Sequence, residues 1–207
     1  MVGMTRCPAA LLPALLAMLG ALAAGCADPP PRDPAVAQRA QLAKDLAGMP
    51  QGPERVAKEI QLATVALPYS RDAADWHARL ATAVAALRAL LDERTAAGDV
   101  AAAAHIRVAY GRHLSMQGEF AAAAEQFDHV LALDPPSPHV PAALTEKASN
   151  LFRQKDFAGC KALLERVIAE HPGTPEAIRG PTGIHSCERE LQRPTAPAPP
   201  PAPARTE

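Results

Sequence analysis

GRHLSMQGEFAAAAEQFDHVLALDP, residues 111–135, and ASNLFRQKDFAGCKALLERVIAEHP, residues 148–172, are the stretch of this chain that decides its fold. Gly111, Phe120, Ala123, Phe127, Val130 and Pro135 recur 37 residues further on as Ala148, Phe157, Cys160, Leu164, Val167 and Pro172. Self-similarity at a fixed offset marks one supersecondary unit used twice. Within each copy the apolar residues step by three or four, the period of an amphipathic helix. A small residue in the first half of each copy faces another in the second, Gly111 with Ala123 and Ala148 with Cys160. Such pairs let two antiparallel helices approach closely, while Phe120 and Phe157 fill the turn between them. Aromatic residues make up 3% of the chain and alanine is abundant. The interior must therefore be built by close helix approach rather than by the large residues that favour sheets, and the fold class is all-α.

Upstream of the repeat, Trp76, Leu80, Val84, Leu87 and Leu91 lie on one stripe of a helix that ends near Gly98, with Ser70 or Asp72 as its cap. A shorter helical pattern between Ala35 and Leu46, carried by Val36, Leu42 and Leu46, stops at Gly48. Another begins at Pro53-Glu54, with Val56 and Ile60 one turn apart. Downstream, a helix is expected near His185 to Leu191, and Pro181 and Gly183 break any continuous helix from Glu176. Residues 193–207 are a Pro/Ala-rich tail that cannot bury a core and is expected to be disordered, solvated and extended.

The two copies resemble tetratricopeptide repeats. In that family's unit of about 34 residues, a small residue on helix A, then an aromatic start, a small residue, a large apolar one and a closing proline on helix B recur in this order. Cys160 replaces the family's alanine and Leu164 its aromatic, and Arg107 and Lys147 stand where the family carries bulky apolar residues. Pro135-Pro136-Ser137-Pro138 takes up the extra length. The likeness covers residues 104–172. It implies an α-solenoid of antiparallel helix-turn-helix units, about two repeats plus flanking helices, over residues 36–192. It also implies a concave surface lined by helix A. Those positions hold His105, Val108, Arg112, Ser115 and Met116 in the first copy, and Ala142, Thr145, Ser149, Phe152 and Arg153 in the second. Some relatives clamp a peptide carboxylate there, but Glu146 occupies a matching place and would repel one, so that clamp is not expected.

Residues 1–25 read as a targeting segment: Arg6 precedes an apolar run from Ala9 to Leu19 that is too short, and interrupted by Pro13, to span a membrane. Leu22-Ala23-Ala24-Gly25-Cys26 resembles a lipobox, which implies a bacterial lipoprotein signal peptide and acylation of Cys26. Residues 26–35, opening with Asp28-Pro29-Pro30-Pro31 after the cysteine, then form a Pro-rich tether. Two or three acyl chains would hold the protein on its membrane essentially permanently. Ala27, in place of the aspartate that retains enterobacterial lipoproteins in the inner membrane, favours the outer membrane, facing the periplasm. Loss of Arg6 with the signal moves the formal net charge from −1 to −2, and no basic stripe suggests nucleic acid. Cys160 and Cys187 remain as an even pair, for which a disulfide is expected in an oxidising compartment; a metal or redox site using His185 and Cys187 is the alternative.

The chain contains no GxGxxG, phosphate-binding loop, GxSxG, HExxH, CxxC or CxxCH. No catalytic residue, cofactor or metal is expected, and His105 and His113, eight apart on one helix, read as surface residues. The function expected is that of a non-enzymatic scaffold or adaptor that binds another envelope protein or a peptide segment. A module for peptidoglycan or another envelope polymer, or a regulator of an envelope enzyme, is the alternative.

Overall fold

Side-chain caps and left-handed turns punctuate the helices where the sequence supplies Asp, Thr and Gly. The computed structural model describes residues 33–193. The signal segment, Cys26, the tether up to Arg32 and the tail from Pro194 lie outside the described residues. Among those described, eight α-helices follow one another: α1 Pro34–Ala47, α2 Pro53–Thr64, α3 Ala73–Ala96, α4 Val100–Gln117, α5 Phe120–Leu131, α6 Val140–Arg153, α7 Phe157–Glu170 and α8 Pro175–Leu191. A 3₁₀ turn, Leu67–Tyr69, joins α2 to α3. The expected tether thus gives way to helix at Pro34. Of the three residues that suggested α1, Leu42 and Leu46 are buried, whereas Val36 is 63% exposed and Ala35 takes the inward place.

Asp72 caps α3, Asp99 caps α4 and Asp156 caps α7, each accepting from the backbone N–H three residues on at 2.8, 3.0 and 2.8 Å. The stripe on α3 points inward as expected: Leu80 and Leu87 are fully buried, and Leu91 nearly so. A tie that no periodicity reveals joins α3 to α2. Glu59 accepts from Arg94 Nη2 at 2.7 and 2.6 Å and from Arg55 Nε at 3.0 Å.

The two copies of the repeat become the helix pairs α4–α5 and α6–α7, and their turns match atom for atom. After α4, Gly118 N–H bonds to Ser115 O and Glu119 N–H to Leu114 O; after α6, Lys155 N–H bonds to Phe152 O and Asp156 N–H to Leu151 O. This is the Schellman pattern, which needs a left-handed residue at the turn. Gly118 supplies it with φ 89°, and 37 residues later Lys155 supplies it with φ 65°. Arg107 and Lys147 look outward from the first helix of each pair to bond Gln126 and Asp128 on α5.

Each helix from α2 on packs against its neighbours in the chain, and α2 with α4, α4 with α6 and α6 with α8 also meet. The even-numbered helices therefore form one row, with α3, α5 and α7 packed against it. Small residues set the spacing. A Cβ on Gly111 would lie 2.7 Å from Phe127 Cε1 and 3.2 Å from Ala123 O. Ala148, fully buried, shares a cluster with Cys160 and Leu164.

α8 departs from the sequence reading: it runs unbroken through Pro181 and Gly183. Proline inside a helix costs about 3 kcal/mol and glycine about 1 kcal/mol relative to alanine. Packing overrides both. Gly180 and Gly183 let α8 lie against α7 so closely that Cβ atoms there would stand 2.8 Å from Ile168 Cγ1 and 2.7 Å from Leu164 Cδ1. Thr174 caps this helix through Ala177 N–H at 3.2 Å, ahead of Pro175 in its first turn.

Candidate functional site

The glycines that draw α8 onto α7 also line a cleft of about 810 Å³ that opens between α6 and α8. Phe157, Cys160 and Leu164 of α7 form its floor. Thr145, Ala148, Ser149, Phe152 and Arg153 line the α6 side; Gly180, Gly183 and Ser186 line the α8 side. Phe152 and Phe157 meet edge to face at 5.1 Å, which fixes an aromatic ledge at one end. The surface offered is largely apolar with a charged rim.

That rim is asymmetric. On α8, Glu176 faces Arg179 at 3.7 Å and Glu190 faces Arg193 at 3.2 Å, so the acids are already accompanied. Across the cleft, Arg153 and Lys155 are exposed and have no ion-pair partner among the described residues. Lys155 holds its place at the rim in a left-handed conformation that costs roughly 1 to 2 kcal/mol for a residue with a Cβ.

Of the five helix A positions of the second copy, Thr145, Ser149, Phe152 and Arg153 line this cleft, whereas Ala142 packs against the cluster of Ala104, Val108, Val130 and Ala143. The first-copy set does not reach it. Val108 and Ser115 are buried, at 4% and 5% exposure, and the Ser115 hydroxyl has no hydrogen-bond partner. His105 stacks on His139 with ring centroids 4.4 Å apart and planes 17° from parallel. Arg112 pairs with Glu146, Nε to Oε1 at 2.8 Å. Met116 is half-buried beside them on α4. The α4–α6 junction is thus bridged by side chains, whereas the α6–α8 junction is open. Burial raises the Glu146 carboxyl, against the lowering influence of Arg112 and Arg153, so its charge is met from both sides.

His113, expected at the surface, is buried instead, and its Nδ1 lies 2.7 Å from Ala109 O. Cys160 and Cys187 come together as two buried thiols with Sγ atoms 2.8 Å apart. Burial, and then the neighbouring Cys187, pushes the Cys160 thiol up to about 12. His185, two residues from Cys187 on the same helix, is exposed on another face, so the two do not converge on one site. No group of three or more His, Cys, Asp or Glu among the described residues is placed to hold a metal ion.

Sequence reasoning missed the α8 wall and Lys155. The wall follows from three small residues, Gly180, Gly183 and Ser186, at helical spacing, a signal present in the sequence but hidden by Pro181. No family model, curated protein or solved structure matches the chain.

Proposed function

We propose that this protein is a lipid-anchored scaffold or adaptor of the bacterial envelope, an α-solenoid resembling tetratricopeptide proteins that takes an extended segment of another envelope protein into the α6–α8 cleft. The observation that carries the reading is the cleft itself: an apolar floor with two exposed cations, Arg153 and Lys155, on one rim. Such a surface suits a segment with apolar side chains facing down and acidic groups along one edge. The reading contains no catalytic step and no cofactor. Cys26 would carry the acyl chains and residues 27–33 would let the helical part stand off the membrane, on the periplasmic side of the outer membrane. No described helix is long and apolar enough to cross a membrane.

A photo-crosslinking amino acid at Ser149, in cells, tests the assignment. Capture of one envelope protein, absent when the probe sits instead at the exposed Glu93, is the expected result. Labelling of peptidoglycan, or sedimentation of the protein with purified cell wall, would assign the cleft to the polymer instead. No product at Ser149 beyond that at Glu93 overturns the cleft as the binding surface. Metabolic labelling with an alkyne fatty acid tests the anchor, which is lost as a reading if Cys26→Ser is labelled as strongly as the wild type.

A further inference from the structure

We propose that Cys160 and Cys187 join as an intramolecular disulfide and that this crosslink holds α8 as the fixed wall of the α6–α8 cleft. The crosslink stands on the packing of α7 and α8; only its value to binding rests on the cleft reading above.

The two residues sit on adjacent helices with Sγ atoms 2.8 Å apart, and a movement of under about 1 Å brings them to disulfide distance. Both are enclosed, at 2% and 0% exposure, in one apolar cluster with Ala148, Leu164 and Ile184. They are the only cysteines of the helical part. The next residues along each helix, Lys161 and Glu188, make an ion pair of 2.7 Å, so the two helices are already tied in register at this point.

α8 has particular need of a covalent tie. It carries Gly180, Pro181 and Gly183 in its interior, and it packs on α7 and, less extensively, on α6. Where α8 meets α7 through glycines, it contributes backbone rather than side chains to the contact. Cys187 is its one fully buried side chain. A crosslink there fixes the helix through its most deeply buried side chain, near the C-terminal end, while Ala177 seats the other end against Leu144 and Val167.

The chemistry balances with a disulfide oxidant, either a small-molecule disulfide or that of a thiol–disulfide oxidoreductase. One cysteine thiolate attacks the oxidant and expels a thiol, giving a mixed disulfide; the second thiolate displaces the remaining thiol. Two protein thiols lose two protons and two electrons, and the oxidant's disulfide becomes two thiols. The elevated thiol pKa keeps the thiolate scarce once α8 has docked. Exchange therefore belongs to the stage before docking, and the finished bond is shielded.

The full chain, in mild detergent, is refolded in mixtures of glutathione and glutathione disulfide, quenched with N-ethylmaleimide and mapped without reduction. Peptides carrying Cys160 and Cys187 should be joined to each other; maleimide or glutathione on both at the most oxidising ratio overturns the crosslink. Hydrogen exchange across 175–191 then tests the positioning role. Wild type refolded and held under reductant, with both thiols confirmed free by maleimide after unfolding, should exchange there at least about tenfold faster than the oxidised protein. The Cys160→Ala, Cys187→Ala variant should exchange like the reduced protein and ignore reductant. Equal exchange in the oxidised and reduced wild type overturns the role even if the variant does not fold. Neither readout involves a partner, so their failure and that of the adaptor reading are separable.

Discussion

Replacing Gly111 by alanine adds one methyl group where the close approach of α4 and α5 leaves no room for it. In an open helix the change stabilises by about 1 kcal/mol, because alanine loses less backbone freedom on folding. Here the new Cβ would stand 2.7 Å from Cε1 and 2.9 Å from Cζ of Phe127, and 3.2 Å from the Ala123 carbonyl. Phe127 is fully buried and its ring cannot swing aside. Overpacking of this kind costs roughly 1 to 3 kcal/mol, so the net change should be a loss of about 1 kcal/mol. The second copy of the repeat suggests the compensation: where the first has Gly111 and Phe127, the second has Ala148 and Leu164. Phe127→Leu alone should cost roughly 1 to 1.5 kcal/mol through the space it leaves. Combined with Gly111→Ala, which fills part of that space, the pair should be more stable than the sum of its parts by about 1 to 2 kcal/mol. Urea unfolding of the four proteins, followed by circular dichroism, gives all the terms of the cycle. If Gly111→Ala stabilises, or if the two changes simply add, then close approach at Gly111 is not what the repeat encodes and the equivalence of the two pairs loses its physical basis.

Other perturbations read other parts of the structure. Glu59→Ala leaves Arg94, whose side chain is 10% exposed, with only the longer bond to Gln51, while Arg55 keeps its bonds to Leu46 O and Met49 O; breaking a buried pair from one side should cost about 3 kcal/mol in urea denaturation, and a loss below about 0.5 kcal/mol would remove the tie between α2 and α3. Acid should destabilise the α4–α6 junction: burial holds His105 and His139 below their ordinary value of 6.5, with His139 lowering His105 further. The folded state then binds fewer protons than the unfolded chain, so stability is intact above about 6.5, falls as the pH drops below it, and levels off beneath the folded values. His105→Gln, His139→Gln should flatten that fall between about pH 7.5 and about pH 5; an unchanged slope would acquit the pair. Lys155→Gly removes a left-handed lysine, so stability should hold or rise by up to about 1 kcal/mol while crosslinking at Ser149 weakens; full capture by this variant would show that the cation is not used.

Helical content, the placement of α1 to α7 and the pairing of α4 with α5 and α6 with α7 were legible because apolar spacing, caps and the 37-residue repeat all agree. Pro181 misled because local propensity favours a break there, while the close seat of Gly180 and Gly183 on α7 is a tertiary fact that no local pattern encodes. The binding set divided for a similar reason. A repeat alignment places His105 and Arg112 by analogy with Ala142 and Ser149, but the alignment cannot know that His139 and Glu146 stand across from them.

One repeat used twice has thus produced two different junctions, and side-chain size explains the difference. Between α4 and α6 the facing positions carry His105, Arg112, His139 and Glu146, long enough to meet by stacking and by an ion pair, which closes the junction and ties the row together. Between α6 and α8 apolar side chains meet, Leu144 with Ala177 in one buried cluster and Ala148 with Cys187 in another, while beside them Ser149, Gly180, Gly183 and Ser186 are too small to close the cleft. Closing one junction ties α4 to α6 by a ring stack and an ion pair; leaving the next open provides a cleft, and α8, though packed extensively on α7, has no such bridge to α6 among the described residues. An open junction at the end of the described row gains from another means of holding its outer wall, and the meeting of Cys160 with Cys187, beside the Lys161–Glu188 pair, falls where α8 buries its most enclosed side chain.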